Sequence, residues 1–122
     1  MIFRERVEKG LQMQNPKIVV YHYPNPEIKS FITTIEISSP RVEHFKKPLD
    51  KDSEDTLWQL GIIGAQIVRE IMSIPGVKEI HIKPKEIRMK KEISSSWEDI
   101  EKQVIIILNR AFRKKQIKVI KG

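Results

Sequence analysis

The sequence predicts an α+β domain in which an antiparallel four-stranded sheet, in ββαββα order, carries two helices on one face. Two observations support this class. Strand-like segments occur in pairs joined by proline-containing turns, and each pair precedes a segment whose apolar residues recur every three or four positions. Because each strand has one apolar face, packing both helices on that face is the simplest way to bury these residues.

The first predicted hairpin pairs strands at 17–23 and 30–38. The segment 17–23 is rich in β-branched and aromatic residues, and two prolines within 24–27 favour a turn between the strands. Side chains alternate along a strand. One side of the second strand therefore carries Phe31, Thr33, Ile35 and Ile37.

A polar connector over 39–55 leads into the first predicted helix. This helix is expected to begin near Asp52 or Ser53 and to end at Pro75-Gly76, with one apolar stripe facing the core. Glycine is unfavourable inside a helix by about 1 kcal/mol relative to alanine. We therefore interpret Gly61 and Gly64 as positions where the helix closely approaches a neighbouring element.

The second predicted hairpin pairs 77–83 with 86–91 around Pro84-Lys85. Its alternation places isoleucine and methionine side chains on one face and basic side chains on the other. The last helix begins after Ser96, and its buried stripe comprises Trp97, Ile100, Val104, Ile107, Leu108 and Ala111. A short fifth strand is possible at 116–120.

The length of 122 residues fits one domain. We predict an N-terminal arm at 1–16 and a single α+β domain at 17–122. The absence of cysteine excludes disulfides, thiolate metal sites and cysteine nucleophiles within this chain. The first residues alternate in charge and do not resemble a signal peptide, and no apolar run is long enough to span a membrane. A cytoplasmic protein without membrane contact is expected.

The net charge of +7 is concentrated in two segments. Residues 78–91 contribute +4 and residues 110–121 contribute +6, so the remainder of the chain is acidic. Such local basicity indicates anionic partners, for example nucleic acid, and is also consistent with an ordinary solvated surface.

No motif predicts catalysis, a cofactor or a metal ion. The histidines His22, His44 and His81 are not spaced as ligands on one helix or in a known metal motif. The serines at 94–96 lack the glycines of a nucleophile elbow and are explained by helix capping. The acids within 50–55 lack the pattern of a calcium loop and suit the start of a helix. The sequence therefore predicts a protein that is not an enzyme.

An ordered set of motifs resembles the N-terminal domain of the Nfu family of iron–sulfur cluster scaffold proteins. The set comprises Pro24-Asn25-Pro26 followed by Phe31, then Ile74-Pro75-Gly76-Val77, then Pro84, then Ile87-Arg88-Met89-Lys90-Lys91, and finally Trp97-Glu98-Asp99. The resemblance covers roughly residues 18–112 and is strongest over 64–112. It implies the family's fold, an antiparallel sheet packed against two helices. The turn Lys83-Pro84-Lys85-Glu86 is more basic than the family's pattern.

In this family the cluster is held by a Cys-x-x-Cys motif in a separate C-terminal domain. This chain contains neither that domain nor a cysteine, so we do not expect it to hold a cluster by itself. The resemblance instead implies a non-catalytic binding module, with an accessory or regulatory role linked to iron–sulfur cluster assembly and with another protein as its partner.

A second hypothesis is a small nucleic-acid-binding protein that uses the open face of its sheet and the basic hairpin. If Ile18 and Val20 face inward, aromatic and basic side chains share the open face, as in proteins that stack bases on aromatic rings. For either kind of partner, the candidate contact residues are Tyr21, His81, Lys83, Lys85, Arg88, Lys90, Lys91, Arg113, Lys114 and Lys115.

Overall fold

The computed structural model describes the backbone of residues 17–121 and the side chains of residues 17–114. The predicted arm at 1–16 lies outside these residues. The strands are β1 (Ile18–His22), β2 (Ile28–Thr33), β3 (Glu43–Lys46), β4 (Val77–Lys83) and β5 (Glu86–Lys91), and the helices are α1 (Lys51–Gln59), α2 (Gly61–Met72) and α3 (Trp97–Lys121).

The five strands form one antiparallel sheet in the order β1-β2-β5-β4-β3. One face of this sheet and the apolar stripes of the helices share a single core, which includes Phe31, Ile80, Ile87, Val68 and Leu108, each fully buried. The α+β class and the antiparallel sheet are therefore confirmed. The prediction of four strands and two helices is wrong in detail, since the described residues contain five strands and three helices.

The additional strand β3 lies in the segment 39–55, which we expected to be a connector. It pairs antiparallel with β4, and its central Phe45 is buried opposite Ile80. The neighbouring His44 and Lys46 are exposed. A strand with one buried residue has the composition of a loop, and it is stabilised by its pairing with β4 and by the burial of Phe45.

The expected C-terminal strand at 116–120 is wrong, because α3 continues as a helix to Lys121. Ala111 and Phe112 extend the buried stripe of α3. No glycine or proline occurs between them and Gly122, so no residue in this stretch breaks the helix.

The long helix expected after the connector is divided into α1 and α2 at Gly61. Asp50 caps α1 by accepting a hydrogen bond from the Ser53 backbone N–H at 3.1 Å, so the helix begins slightly before the predicted start at Asp52 or Ser53. Gly61 has a φ of +91°, the left-handed conformation that ends a helix. A Cβ atom on Gly61 would meet nothing within 4 Å, so the close approach predicted there is wrong. At Gly64 it is confirmed, since a Cβ atom would lie 2.9 Å from the Ser38 Cβ.

Strand β2 begins and ends earlier than the predicted 30–38. Most of the residues predicted to face inward are nevertheless buried, including one that follows the end of the strand. Phe31, Thr33 and Ile37 are all at most 3 % exposed.

A bulge in β4 between Val77 and Glu79 shifts the alternation by one residue. Val77 therefore faces the core, whereas Glu79 and His81 lie on the opposite, open face.

The Pro24-Asn25-Pro26 turn and the tryptophan that opens α3 contact each other. The Trp97 Nε1–H donates a hydrogen bond to the Pro26 carbonyl oxygen at 2.7 Å. The Lys29 ammonium lies 5.1 Å from the centre of the Trp97 ring and 3.3 Å from a Glu101 carboxylate oxygen. These contacts fasten the start of α3 to the β1–β2 hairpin. Among the described residues, no helix packs on the other face of the sheet, which we call the open face.

Candidate functional site

The open face of the sheet is crossed by a row of five cross-strand neighbours, one from each strand. In spatial order the row is Tyr21, Ser30, Arg88, His81 and His44. The core residues alternate with the members of this row along each strand, so burial of the core dictates which side chains face outward.

The β1–β2 end of this face carries exposed apolar side chains. Val19 and Ile32 are directly opposite one another, with 59 % and 39 % of their surface exposed. Tyr21 is 52 % exposed, and its ring meets that of Tyr23 edge to face with centroids 4.8 Å apart. We call Val19, Tyr21 and Ile32 the apolar patch. Apolar groups gathered on one surface are typical of binding sites, whereas isolated ones are ordinary.

A hydrogen-bond network holds the polar side chains beside this patch. The fully buried Ser30 hydroxyl donates to a Glu86 carboxylate oxygen at 2.7 Å. Its own oxygen lies 3.0 Å from the Tyr23 hydroxyl, which is therefore the donor in that bond. Lys83 lies 3.9 Å from the other Glu86 oxygen. The network orients Tyr23 and Glu86, so the surface around the apolar patch is held in place before any partner arrives.

The β3–β4 end carries a cluster of two histidines and one carboxylate. The imidazoles of His44 and His81 are stacked, with centroids 4.1 Å apart and planes inclined by 12°. The His44 Nε2 lies 2.6 Å from a Glu79 carboxylate oxygen. We call these three residues the histidine cluster. Their nitrogen and oxygen atoms all lie within 4.8 Å of one another, so the cluster offers three potential metal ligands.

Two groups in the histidine cluster have perturbed ionisation. The hydrogen bond from His44 holds the pKa of the Glu79 carboxyl below its usual value, against the opposing effect of burial. Burial lowers the pKa of His81, and the positive charges of His44 and Arg88 lower it further. These directions favour a charged carboxylate beside a neutral imidazole at neutral pH.

Only some of the sequence-predicted contact residues share the open face. Tyr21, His81, Lys83, Arg88 and Lys90 lie on it, and Lys85 is exposed in the turn beside it. Lys91 lies on the core side and is 8 % exposed, because it shares the alternate positions of β5 with the buried Ile87 and Met89. Its ammonium donates to the backbone carbonyls of Glu92 and Ile93 at 3.1 and 3.4 Å.

The basic residues near the C-terminus lie on α3, in the layer of helices. Arg113 is exposed there, and the Lys114 ammonium donates to the Gln66 side-chain oxygen on α2 at 2.6 Å. The side chain of Lys115 lies outside the described residues. Within the described side chains, the two basic segments of the sequence therefore occupy different layers and do not form one continuous surface.

Sequence reasoning missed the histidine cluster. His44 was assigned to a connector, so nothing placed it opposite His81. The available signal was the pattern Glu43-His44-Phe45-Lys46, in which a single aromatic residue stands among polar ones, and that pattern is too short to identify a strand.

Within residues 17–121, helices lie on one face of an antiparallel sheet and the other face carries aromatic and basic side chains, which defines a small α+β domain. The family model described as "Scaffold protein Nfu/NifU N terminal" matches residues 18–115, most of the chain. The chain therefore belongs to the Nfu N-terminal domain family, as the sequence motifs implied.

Two solved structures share this fold. The crystal structure of protein SAV1430 from Staphylococcus aureus has a TM-score of 0.56 at 18 % identity, covering 75 % of this chain and 98 % of its own. A NifU-like protein from Saccharomyces cerevisiae has a TM-score of 0.57 at 17 % identity, covering 76 % of this chain and 75 % of its own. No curated protein sequence matches the chain. None of the helices within residues 17–121 has both the length and the apolar character needed to cross a bilayer.

Proposed function

We propose that this Nfu N-terminal-like domain is a non-catalytic protein-binding module with an accessory role in iron–sulfur cluster assembly. The observation that carries the proposal is the apolar patch of Val19, Tyr21 and Ile32, which lies exposed on the open face next to Arg88. Tyrosine and arginine are enriched at protein interfaces, where they supply much of the binding energy.

The charges on the open face indicate the partner's character. Within the strands, this face carries the cationic Lys46, Lys83, Arg88 and Lys90 against the carboxylates of Glu79 and Glu86. Glu86 already accepts from Ser30, and Glu79 already contacts His44. The excess positive charge favours a partner with an acidic rim around an apolar centre, because complementary charge raises the association rate and selects the orientation.

Membership of the Nfu family selects the class of partner to test first. In this family the cluster-binding Cys-x-x-Cys motif lies in a domain separate from the N-terminal one. The present chain has no cysteine, so in this proposal it acts on a cysteine-bearing partner by binding it.

The test is isothermal titration of this protein with a Cys-x-x-Cys domain of the NifU type, in its cluster-free and cluster-loaded forms. Arg88→Glu is expected to weaken binding at least ~10-fold, because it reverses a charge at the centre of the open face. Tyr21→Ala is expected to weaken it by a similar factor through loss of an exposed aromatic contact. Both positions are exposed, so the melting temperature should change little.

Arg113→Glu is the matched control, since it makes the same charge change at an exposed site on the helix layer. Equal weakening by Arg88→Glu and Arg113→Glu would mean that net charge, and not the open face, governs binding. Absence of binding to both forms of the cysteine-bearing domain would contradict its assignment as the partner.

The nucleic-acid hypothesis is less well supported. Phosphate binding is favoured by a continuous basic surface, yet Lys91 faces the core and Lys114 lies on the opposite layer. Anisotropy titrations with labelled single-stranded RNA and DNA test it directly. Micromolar binding at physiological salt that is abolished by Arg88→Glu would favour nucleic acid over a protein partner.

A further inference from the structure

The histidine cluster has the composition of a metal site. His44 and His81 are direct cross-strand neighbours, and Glu79 precedes His81 by two residues on the same face of β4. Their potential ligand atoms all lie within 4.8 Å of one another. Two imidazoles and one carboxylate form a donor set that binds Zn²⁺ and other first-row divalent ions.

We propose that His44, Glu79 and His81 form a binding site for a divalent transition-metal ion of the Zn²⁺ class. The inference goes beyond the proposed function and does not depend on it. The Irving–Williams order places Zn²⁺ well above Mn²⁺ and Fe²⁺ for a given set of such ligands, so Zn²⁺ is the appropriate probe.

The backbone positions support this assignment. Side chains directly opposite on neighbouring antiparallel strands have Cβ atoms about 4.5–5.5 Å apart, and the pairing of β3 with β4 fixes this spacing for the two histidines. Phe45 and Ile80, which adjoin the histidines in sequence, are buried opposite one another and anchor both strands. The two histidines are therefore held side by side whether or not an ion is bound.

Binding requires rotation of the side chains about their existing backbone positions. Tetrahedral coordination by Zn²⁺ places ligand atoms about 3.3 Å apart. The His44–Glu79 contact of 2.6 Å must open slightly, and the stacked imidazoles must tilt so that their nitrogens converge. The side chains of His44 and Glu79 are 38 % and 24 % exposed, which leaves them room to rotate.

Three protein ligands leave at least one coordination position on the solvent side. Lys46 is the cross-strand neighbour of Glu79, and Arg88 is the cross-strand neighbour of His81. These positive charges weaken the affinity for a cation and favour an anionic ligand, such as a carboxylate or a halide, at the open position.

The experiment is isothermal titration of the untagged, chelator-treated protein with ZnCl₂. We expect one ion per chain, and affinity lowered at least ~10-fold in each of His44→Ala, His81→Ala and Glu79→Gln. His22→Ala is the matched control, because His22 is exposed on β1, at the other end of the sheet, and should leave the affinity unchanged. Mn²⁺ should bind more than ~100-fold more weakly than Zn²⁺.

Circular dichroism in the presence of chelator establishes whether each variant is folded. If His44→Ala is not folded, His44→Gln takes its place. Zinc should raise the melting temperature of the wild type and not that of the ligand variants. The proposal is overturned if millimolar zinc does not bind, if His44→Ala and His81→Ala bind as tightly as the wild type, or if His22→Ala lowers the affinity as much as they do.

Discussion

Replacement of Phe31 by alanine is expected to lower the free energy of unfolding by about 3–5 kcal/mol, the usual cost of removing a buried phenylalanine. Phe31 is fully buried on β2, which lies between β1 and β5, and its cross-strand neighbours are Val20 and Ile87. Phe31 belongs to the core that the sheet shares with the helices, so loss of its ring leaves a cavity that the neighbouring residues fill only in part. Because domains of this size are stable by only about 5–15 kcal/mol, the variant should unfold at much lower urea concentrations.

The adjacent residue supplies the control for Phe31→Ala. Ile32 belongs to the same strand but lies on the open face with 39 % of its surface exposed. Ile32→Ala is expected to cost only about 1 kcal/mol, because Ile32 lies outside the core cluster and part of its side chain is already in water. Equal shifts of the two urea midpoints would contradict the assignment of the core face.

Replacement of Gly76 by alanine should be the second strongly destabilising change, at about 2–4 kcal/mol. Gly76 has a φ of +96°, which disfavours any residue with a Cβ atom. A Cβ atom there would also lie 2.7 Å from the Ser95 Cβ and 3.4 Å from the Ile100 Cδ1. The start of β4 would therefore have to move away from the loop that precedes α3.

Gly61→Ala separates the backbone strain at positive φ from the steric clash that both contribute to the cost of Gly76→Ala. Gly61 has a similar φ of +91°, yet a Cβ atom there meets nothing within 4 Å. Its replacement should cost only the backbone strain, about 1–2 kcal/mol. Gly76→Ala combined with Ser95→Gly should recover the steric part of the loss. If urea denaturation gave equal values for Gly61→Ala and Gly76→Ala, the packing of Gly76 against Ser95 would be refuted.

Much of the fold follows from local patterns. The alternation in 77–83 and 86–91 identified β4 and β5 and most of the side chains on each of their faces, and Pro75-Gly76 identified the end of the preceding helix. The stripe from Ile100 to Ala111 identified the buried side of α3. These patterns are readable because burial acts on side chains with the period of the helix or strand that carries them.

The candidate site was only partly predictable. The sequence identified Tyr21, His81, Arg88 and Lys90 as outward-facing residues, and the structure places them on one face. The sequence did not predict that His44 lies beside His81, because a four-residue strand with one buried residue carries almost no periodic signal. The core-side position of Lys91 could have been predicted, since it alternates with Lys90 and follows Ile87 and Met89 on one face of β5, but its charge led to its inclusion in the contact surface.

The sequence by itself determined the class of the fold, its family and the alternating faces of the long strands, because these depend on the order of residues along short segments. Only the tertiary structure decided that β3 joins the sheet beside β4, that Gly61 divides a helix, and that two histidines and a glutamate meet. Each of these depends on pairing or packing between segments distant in the chain. A local pattern contains no information about which of several possible neighbours a segment will contact.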